Sequence, residues 1–220
     1  MLLTQLQSQI AGLYAAPIPY DVYQFLITDR DTAAALTPAG AATDNRERLL
    51  VRDSESDLEL SLFIDAELLA ALIDDDPTVS LHDGNLDGFL IALEGVSHLQ
   101  YLIFHAGQQQ PVSLLELELQ AEVDKYVTSA ELISTQQRNG HVPSALHARL
   151  FEDVRFDGAL PPEAQSRYVA ANRLAARYCH ALRRRYPGHH HQKSFVRELR
   201  DFYRMGEHQK VRHILALECH

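Results

Sequence analysis

The segment from Asn85 to His105 limits what this chain can fold into more than any other. It runs Leu86-Asp-Gly-Phe-Leu-Ile-Ala-Leu-Glu-Gly-Val-Ser-His-Leu-Gln-Tyr-Leu-Ile-Phe-His105 and must be covered on most sides, whichever structure it adopts. A long helix capped by Asn85 is the preferred reading. Two buried strands turning at Glu94-Gly95 are the alternative, because Gly88 and Gly95 would each cost a helix about 1 kcal/mol relative to Ala. Past Gly107 and Pro111, Ser113 and Glu116 form a capping box, which predicts a second helix from Leu114 to about Gln137. Helices joined by about seven residues pack antiparallel.

Chemistry enters through the polar positions of this pair. At about 100° per residue, Phe89, Val96, Leu99 and Ile103 share one side of the first helix, and Glu94, His98, Tyr101 and His105 share the opposite side. Leu90, Ile91 and Leu102 flank that polar stripe, so it is covered too and needs partners. The second helix offers Leu115, Leu119, Tyr126, Ala130 and Ile133 as its apolar stripe, with Glu122 inside it and Glu118 at its edge. Glu94, His98, Glu118 and Glu122 are therefore expected to meet. They could hold a divalent transition metal, act as an acid/base pair, or simply fix the register of the two helices. The Glu-x-x-His repeat of di-iron bundles is absent: the spacing here is Glu94-x-x-x-His98, without a second copy.

The flanking segments differ in period. Ahead of the pair, residues 1–14 read as a short amphipathic helix stopped by Pro17 and Pro19. Val22 to Thr28 reads as a strand, Asp29 to Asn45 as loop, and Arg48–Arg52 with Leu58–Ile64 as a hairpin around Asp53–Ser56. Ala66 to Ile73 is a short helix and Thr78 to His82 a short strand. After Pro143 every segment is helical: Ser144–Asp153, Pro162–Tyr186, Ser194–Met205 and Glu207–Leu217. The expectation is an α+β chain, with a small mixed α/β N-terminal part carrying a β-hairpin (1–110) and a predominantly helical C-terminal part (111–220). Its length allows one core or two.

Charge divides along nearly the same line. Residues 1–139 carry 6 Lys+Arg against 22 Asp+Glu, net −16, and residues 140–220 carry 14 against 8, net +6, which together give the formal −10. Such asymmetry implies either a basic surface for an acidic partner or two halves that meet through opposite charge. Arg183, Arg184, Arg185, Lys193, Arg197 and Arg200 are the residues expected to form that surface. A helix-turn-helix pivoting at Gly206 would add Lys210, Arg212 and His213 as base or phosphate contacts. His189-His-His191 is a weaker metal candidate, since adjacent loop residues do not converge on one ion.

Several classes are excluded. The chain has no GxxxxGK[ST] loop, no GxGxxG after a strand, no GxSxG elbow and no HExxH. Cys179 lies on an apolar helix face, and Cys219 at the chain end is poorly placed for catalysis, so no catalytic residue is assigned. With two cysteines and no uninterrupted apolar run of about 20 residues, a cytoplasmic protein that does not enter a membrane is expected. The leading expectation is an interaction or regulatory protein that presents its basic helical surface to an acidic protein or nucleic acid, without cofactor. The alternative is a metal-dependent or acid/base enzyme built on the Glu/His cluster.

Overall fold

The computed structural model describes residues 1–37, 45–53, 58–137, 142–153, 161–187 and 193–217. Within them the chain is α+β. Helices α1 (Leu2–Tyr14), α2 (Arg30–Leu36) and α3 (Ala66–Asp74) accompany strands β1 (Leu26–Ile27), β2 (Glu47–Asp53) and β3 (Leu58–Ile64). Helices α4 (Asp83–Ala106), α5 (Leu114–Gln136), α6 (Ala145–Phe151), α7 (Pro162–Arg185), α8 (Lys193–Tyr203) and α9 (Glu207–Ala216) follow.

The central pair is antiparallel: Tyr101 meets Glu116, Ser97 meets Asp124 and Glu94 meets Lys125, so numbers fall on α4 as they rise on α5. Ser113 caps α5 as expected, its hydroxyl accepting from the Glu116 N–H at 3.0 Å, but the Glu116 carboxylate turns to Tyr101 and the Glu207 N–H instead of closing the box. Helix α4 starts earlier than expected. His82 is its cap, and Asn85 instead donates to the Asp75 and Ser80 carbonyls from inside the first turn. That use of the Ser80 carbonyl, with Asp76 accepting from the Thr78 N–H, makes residues 78–82 a turn and helix cap rather than the expected strand.

The helix passes unbroken through both glycines because each lies where another element comes close. A Cβ at Gly88 would sit 3.1 Å from Leu68 Cδ1. One at Gly95 would sit 2.8 Å from both Leu62 Cδ1 and Glu47 Cγ. The sheet that approaches Gly95 is ordered β1-β3-β2, with β1 parallel and β2 antiparallel to β3. The strand expected from Val22 shrinks to two residues because Asp21 caps a 3₁₀ turn at Val22–Gln24. Part of the expected loop is helix α2, whose cap Asp29 accepts from the Thr32 N–H at 2.8 Å.

One apolar core runs without interruption from Leu2 to Ile214 and so joins both parts of the chain. Although α4 is long and apolar enough for a membrane span, 61% of its most apolar window is buried within this core. Helix α5 packs on α4 and on α7. Helix α1 lies against α4 and α8, and its last carbonyls are capped by side chains. Arg200 donates to the Leu13 and Gly12 oxygens at 2.9 and 3.2 Å, and Arg204 to those of Tyr14 and Ala15 at 3.0 and 2.9 Å.

A buried polar node fixes α9. Lys210, fully buried, donates to Gln120 Oε1 and lies 4.7 and 4.5 Å from the ring centroids of Tyr101 and Phe202. It is therefore not the nucleic-acid contact its position in the sequence suggested. Beside it, Asp124 accepts from the Tyr14 and Ser97 hydroxyls, both at 2.5 Å, and from Gln120 Nε2 at 2.7 Å. Glu116 accepts from the Tyr101 hydroxyl at 2.5 Å and the Glu207 N–H at 3.0 Å. Burial pulls the Lys210 amine down to about 7, and the Glu116 and Asp124 carboxylates limit the fall.

Two predictions follow from this packing. Gly95→Ala gains about 1 kcal/mol of helix propensity but crowds fully buried Leu62 and the Glu47 side chain, so urea denaturation gives a net loss of about 1–2 kcal/mol. For Lys210, the unfolded chain binds the proton up to its ordinary value near 10.4, whereas the folded chain releases it near 7. Stability from this group therefore rises with pH between those limits. Measured against Lys210→Met, the wild-type unfolding free energy improves by about 2 kcal/mol from pH 7 to pH 9. A flat difference between the two proteins contradicts the burial of the amine.

Candidate functional site

Two places combine convergent polar groups. The first is the polar stripe of α4, whose members all face other polar groups. His105 Nε2 lies 3.1 Å from the Tyr203 carbonyl and its Nδ1 2.9 Å from Gln110. Tyr101 is held by Glu116, as described. Glu94 and His98, one turn apart, meet three elements at once. Lys125 of α5 reaches Glu94 at 3.1 Å and Glu122 at 2.5 Å. His98 stands between Glu47 of β2, with Nδ1 3.8 Å from Oε1, and Glu118 of α5, with Nε2 3.5 Å from Oε2. Arg167 of α7 closes the far side, 3.9 Å from Glu118. Ligand-type atoms of Glu47, Glu94 and His98 all lie within 4.8 Å of one another, so this buried Glu/His group could bind a metal.

Burial and charge compete at every group here. Burial raises the Glu47 carboxyl despite the facing imidazole, and raises Glu122 despite Lys125. At Glu94 the same burial is outweighed by Lys125 and His98, and its carboxyl falls below the usual range. Burial lowers His98, but Glu118 and Glu47 reverse this and hold it well above an ordinary imidazole.

Glu94, His98 and Glu118 are thus together as the helical spacing expected, while Glu122 joins them only through Lys125. The residue missing from that expectation is Glu47. Arg46-Glu-Arg48 reads as a solvated charge run, yet the hairpin register pairs Glu47 with Ile64, which is fully buried. That cross-strand pairing is the available signal, and it requires the hairpin to be aligned first.

The second place is a groove of about 980 Å³ over α7, α8 and α9. Ala176, Ala181, Ala216 and Leu217 are its apolar lining. His147, Arg177, His180, Arg184, Arg185 and His213 line it too, and among the described lining residues Glu198 is the one carboxylate. Glu198 is already engaged: His213 Nε2 lies 2.6 Å from it, the Tyr178 hydroxyl donates at 3.3 Å, and Arg185 stands 3.8 Å away. Partial burial first, then Arg183, His147 and Arg184, lower the His180 imidazole, as expected in a positive field.

The six basic residues expected to share one surface are distributed. Arg184 and Arg185 line the groove, and Arg183 donates to the Ser144 carbonyl at 3.2 Å. Lys193, Arg197 and Arg200 line a separate cleft with Arg204. There Arg197 pairs with Asp201 at 3.7 Å, and Arg200 caps α1. Cys179 is fully buried, and burial pushes its thiol well up. His189, His190, His191 and Cys219 lie outside the described residues. Compared with known proteins, the chain matches no family model, no curated protein and no solved structure.

Proposed function

We propose that this is an interaction protein whose groove over α7, α8 and α9 receives an acidic, amphipathic segment of a partner protein. The observation that carries this reading is a groove lined by three arginines and three histidines together with alanine and leucine, in which the one lining carboxylate among the described residues, Glu198, is already engaged from within. An amphipathic helix laid in such a groove buries its apolar face on the alanine and leucine side chains and sets its carboxylates in the positive field around Arg184. Arginine suits this role because its planar fork grips carboxylates in pairs and stays charged when partly desolvated. Such charges also speed encounter and make it depend on salt. A nucleic-acid strand would use the same arginines but gain little from the apolar lining, which favours the peptide.

The test uses a labelled helical peptide of about 15 residues with Leu at i, i+3, i+4 and i+7 and Glu between, alongside a single-stranded oligonucleotide of equal charge. Fluorescence anisotropy at ~50 mM salt shows peptide binding, weakened about tenfold by Arg184→Glu and unchanged by Arg197→Glu on the other cleft. Tighter binding of the oligonucleotide, or binding insensitive to Arg184, overturns the peptide-groove reading.

A further inference from the structure

We propose that Glu47, Glu94 and His98 form the ligand set of one divalent transition-metal ion, with Glu118 orienting the histidine. The ion would join the first residue of β2 to the middle of α4 and so staple the sheet to the helical core. It lies apart from the groove and does not depend on it.

Spacing is the first argument. A carboxylate paired to a cationic nitrogen by a hydrogen bond closes to about 2.7–2.9 Å. His98 stands 3.8 Å from Glu47 and 3.5 Å from Glu118 instead. Metal bonds of about 2.0–2.2 Å in a tetrahedral site set neighbouring ligand atoms about 3.3–3.6 Å apart, so the 3.8 Å between His98 Nδ1 and Glu47 closes by only a few tenths of an ångström on binding.

Unpartnered atoms are the second. Of eight buried side-chain atoms without a hydrogen-bond partner among the described residues, three lie in this cluster: His98 Nε2, Glu47 Oε1 and Arg167 Nε. The His98 side chain is 8% exposed, so water does not satisfy it from outside. An ion bound at Nδ1 takes up Glu47 Oε1 directly. It also fixes the tautomer in which Nε2–H faces Glu118, the carboxylate–histidine–metal arrangement in which a carboxylate behind the ring sets its orientation. Arg167 in turn stands behind Glu118.

Charge and shape agree with this. Glu47, Glu94, Glu118 and Glu122 face Lys125 and Arg167, an excess of two negative charges when the imidazole is neutral. One divalent ion balances it. Lys125 holds Oε2 of Glu94 at 3.1 Å, and a carboxylate oxygen of Glu94 lies within 4.8 Å of ligand atoms of Glu47 and His98. Gly95 supplies the room: Glu47 Oε1 lies 2.9 Å from where its Cβ would be, so any other residue at 95 pushes the carboxylate out of the site. One imidazole and two carboxylates suit Zn²⁺, Fe²⁺ or Mn²⁺ rather than a soft ion.

The test is calorimetric titration of the metal-stripped full chain with Zn²⁺ and, separately, Mn²⁺. The expected result is one ion bound per chain and a raised Tm. His98→Ala abolishes binding, Glu47→Gln weakens it at least tenfold, and Glu118→Gln, a positioning change, weakens it about 10–100-fold. X-ray absorption of the zinc form shows a nitrogen and oxygen shell at about 2.0–2.1 Å with imidazole scattering. Circular dichroism checks that each variant is folded. If His98→Ala is not, Glu47→Gln and the absorption spectrum of the wild-type zinc form decide. No saturable binding of either ion to folded protein, or binding that survives Glu47→Gln unchanged, overturns the site and leaves an ion-pair network.

Discussion

Helix α5 is buried along most of its circumference, yet Glu116, Glu118, Gln120, Asp124, Thr128 and Ser129 all lie on its covered faces. A buried polar group left unpaired costs about 1–3 kcal/mol, so the elements around α5 have to bring partners as well as apolar surface. The arrangement of the other helices can be read from those partners. Helix α1 brings the Tyr14 hydroxyl and α4 the Ser97 hydroxyl to Asp124. From α9 comes the Lys210 amine to Gln120, and from α7 the Arg167 guanidinium towards Glu118. The apolar contacts of a helix bundle tolerate sliding by a turn; these polar contacts do not.

The same constraint separates the two polar nodes by how fully they close. Around Asp124 and Glu116 the hydroxyl and amide contacts run from 2.5 to 3.0 Å. Around His98 the contacts stand at 3.5 and 3.8 Å and three buried atoms lack partners, while beside the first node the Tyr203 hydroxyl, stacked on Tyr14, lacks one too. The looser node is also the shallower one: the Glu47, Glu94 and Lys125 side chains keep 11, 24 and 14% of their surface exposed, whereas Asp124, Gln120 and Lys210 are fully buried.

Much of the architecture was legible because it follows from local rules. The capping-box pattern at Ser113 and the period of residues 86–105 specify two long helices and their antiparallel pairing, and that pairing brings Glu94 and His98 to Glu118. Gly95 looked like evidence against a helix because the cost of glycine is local and visible, whereas its benefit, the approach of Leu62 and Glu47, comes from a distant strand. Lys210 and Glu47 were hidden for a related reason. Both sit among polar neighbours, and only the packing of α9 on α5 or the register of β2 on β3 turns them inward. Arg200 and Arg204 fit the pattern of a solvated helix face, and no helical period shows that the carbonyl end of α1 lies opposite them.

The charge asymmetry takes a different meaning once the partners are known. Several cations of residues 140–220 are committed to the acidic half or to its backbone. Arg149 lies 3.5 and 3.4 Å from Asp83 and Asp87, Arg167 near Glu118, Lys210 on Gln120, and Arg200 and Arg204 on α1. These contacts explain why one core serves both halves. They leave the positive character concentrated where the acidic half does not reach, around the groove over α7, α8 and α9. There, among the described residues, the one lining carboxylate is Glu198, and it is engaged by His213, Tyr178 and Arg185. His147 adds a contact to Glu152 at 3.8 Å, so the groove's positive groups are partly balanced from within the helical half itself, as Arg149 and Arg167 are balanced by the acidic half.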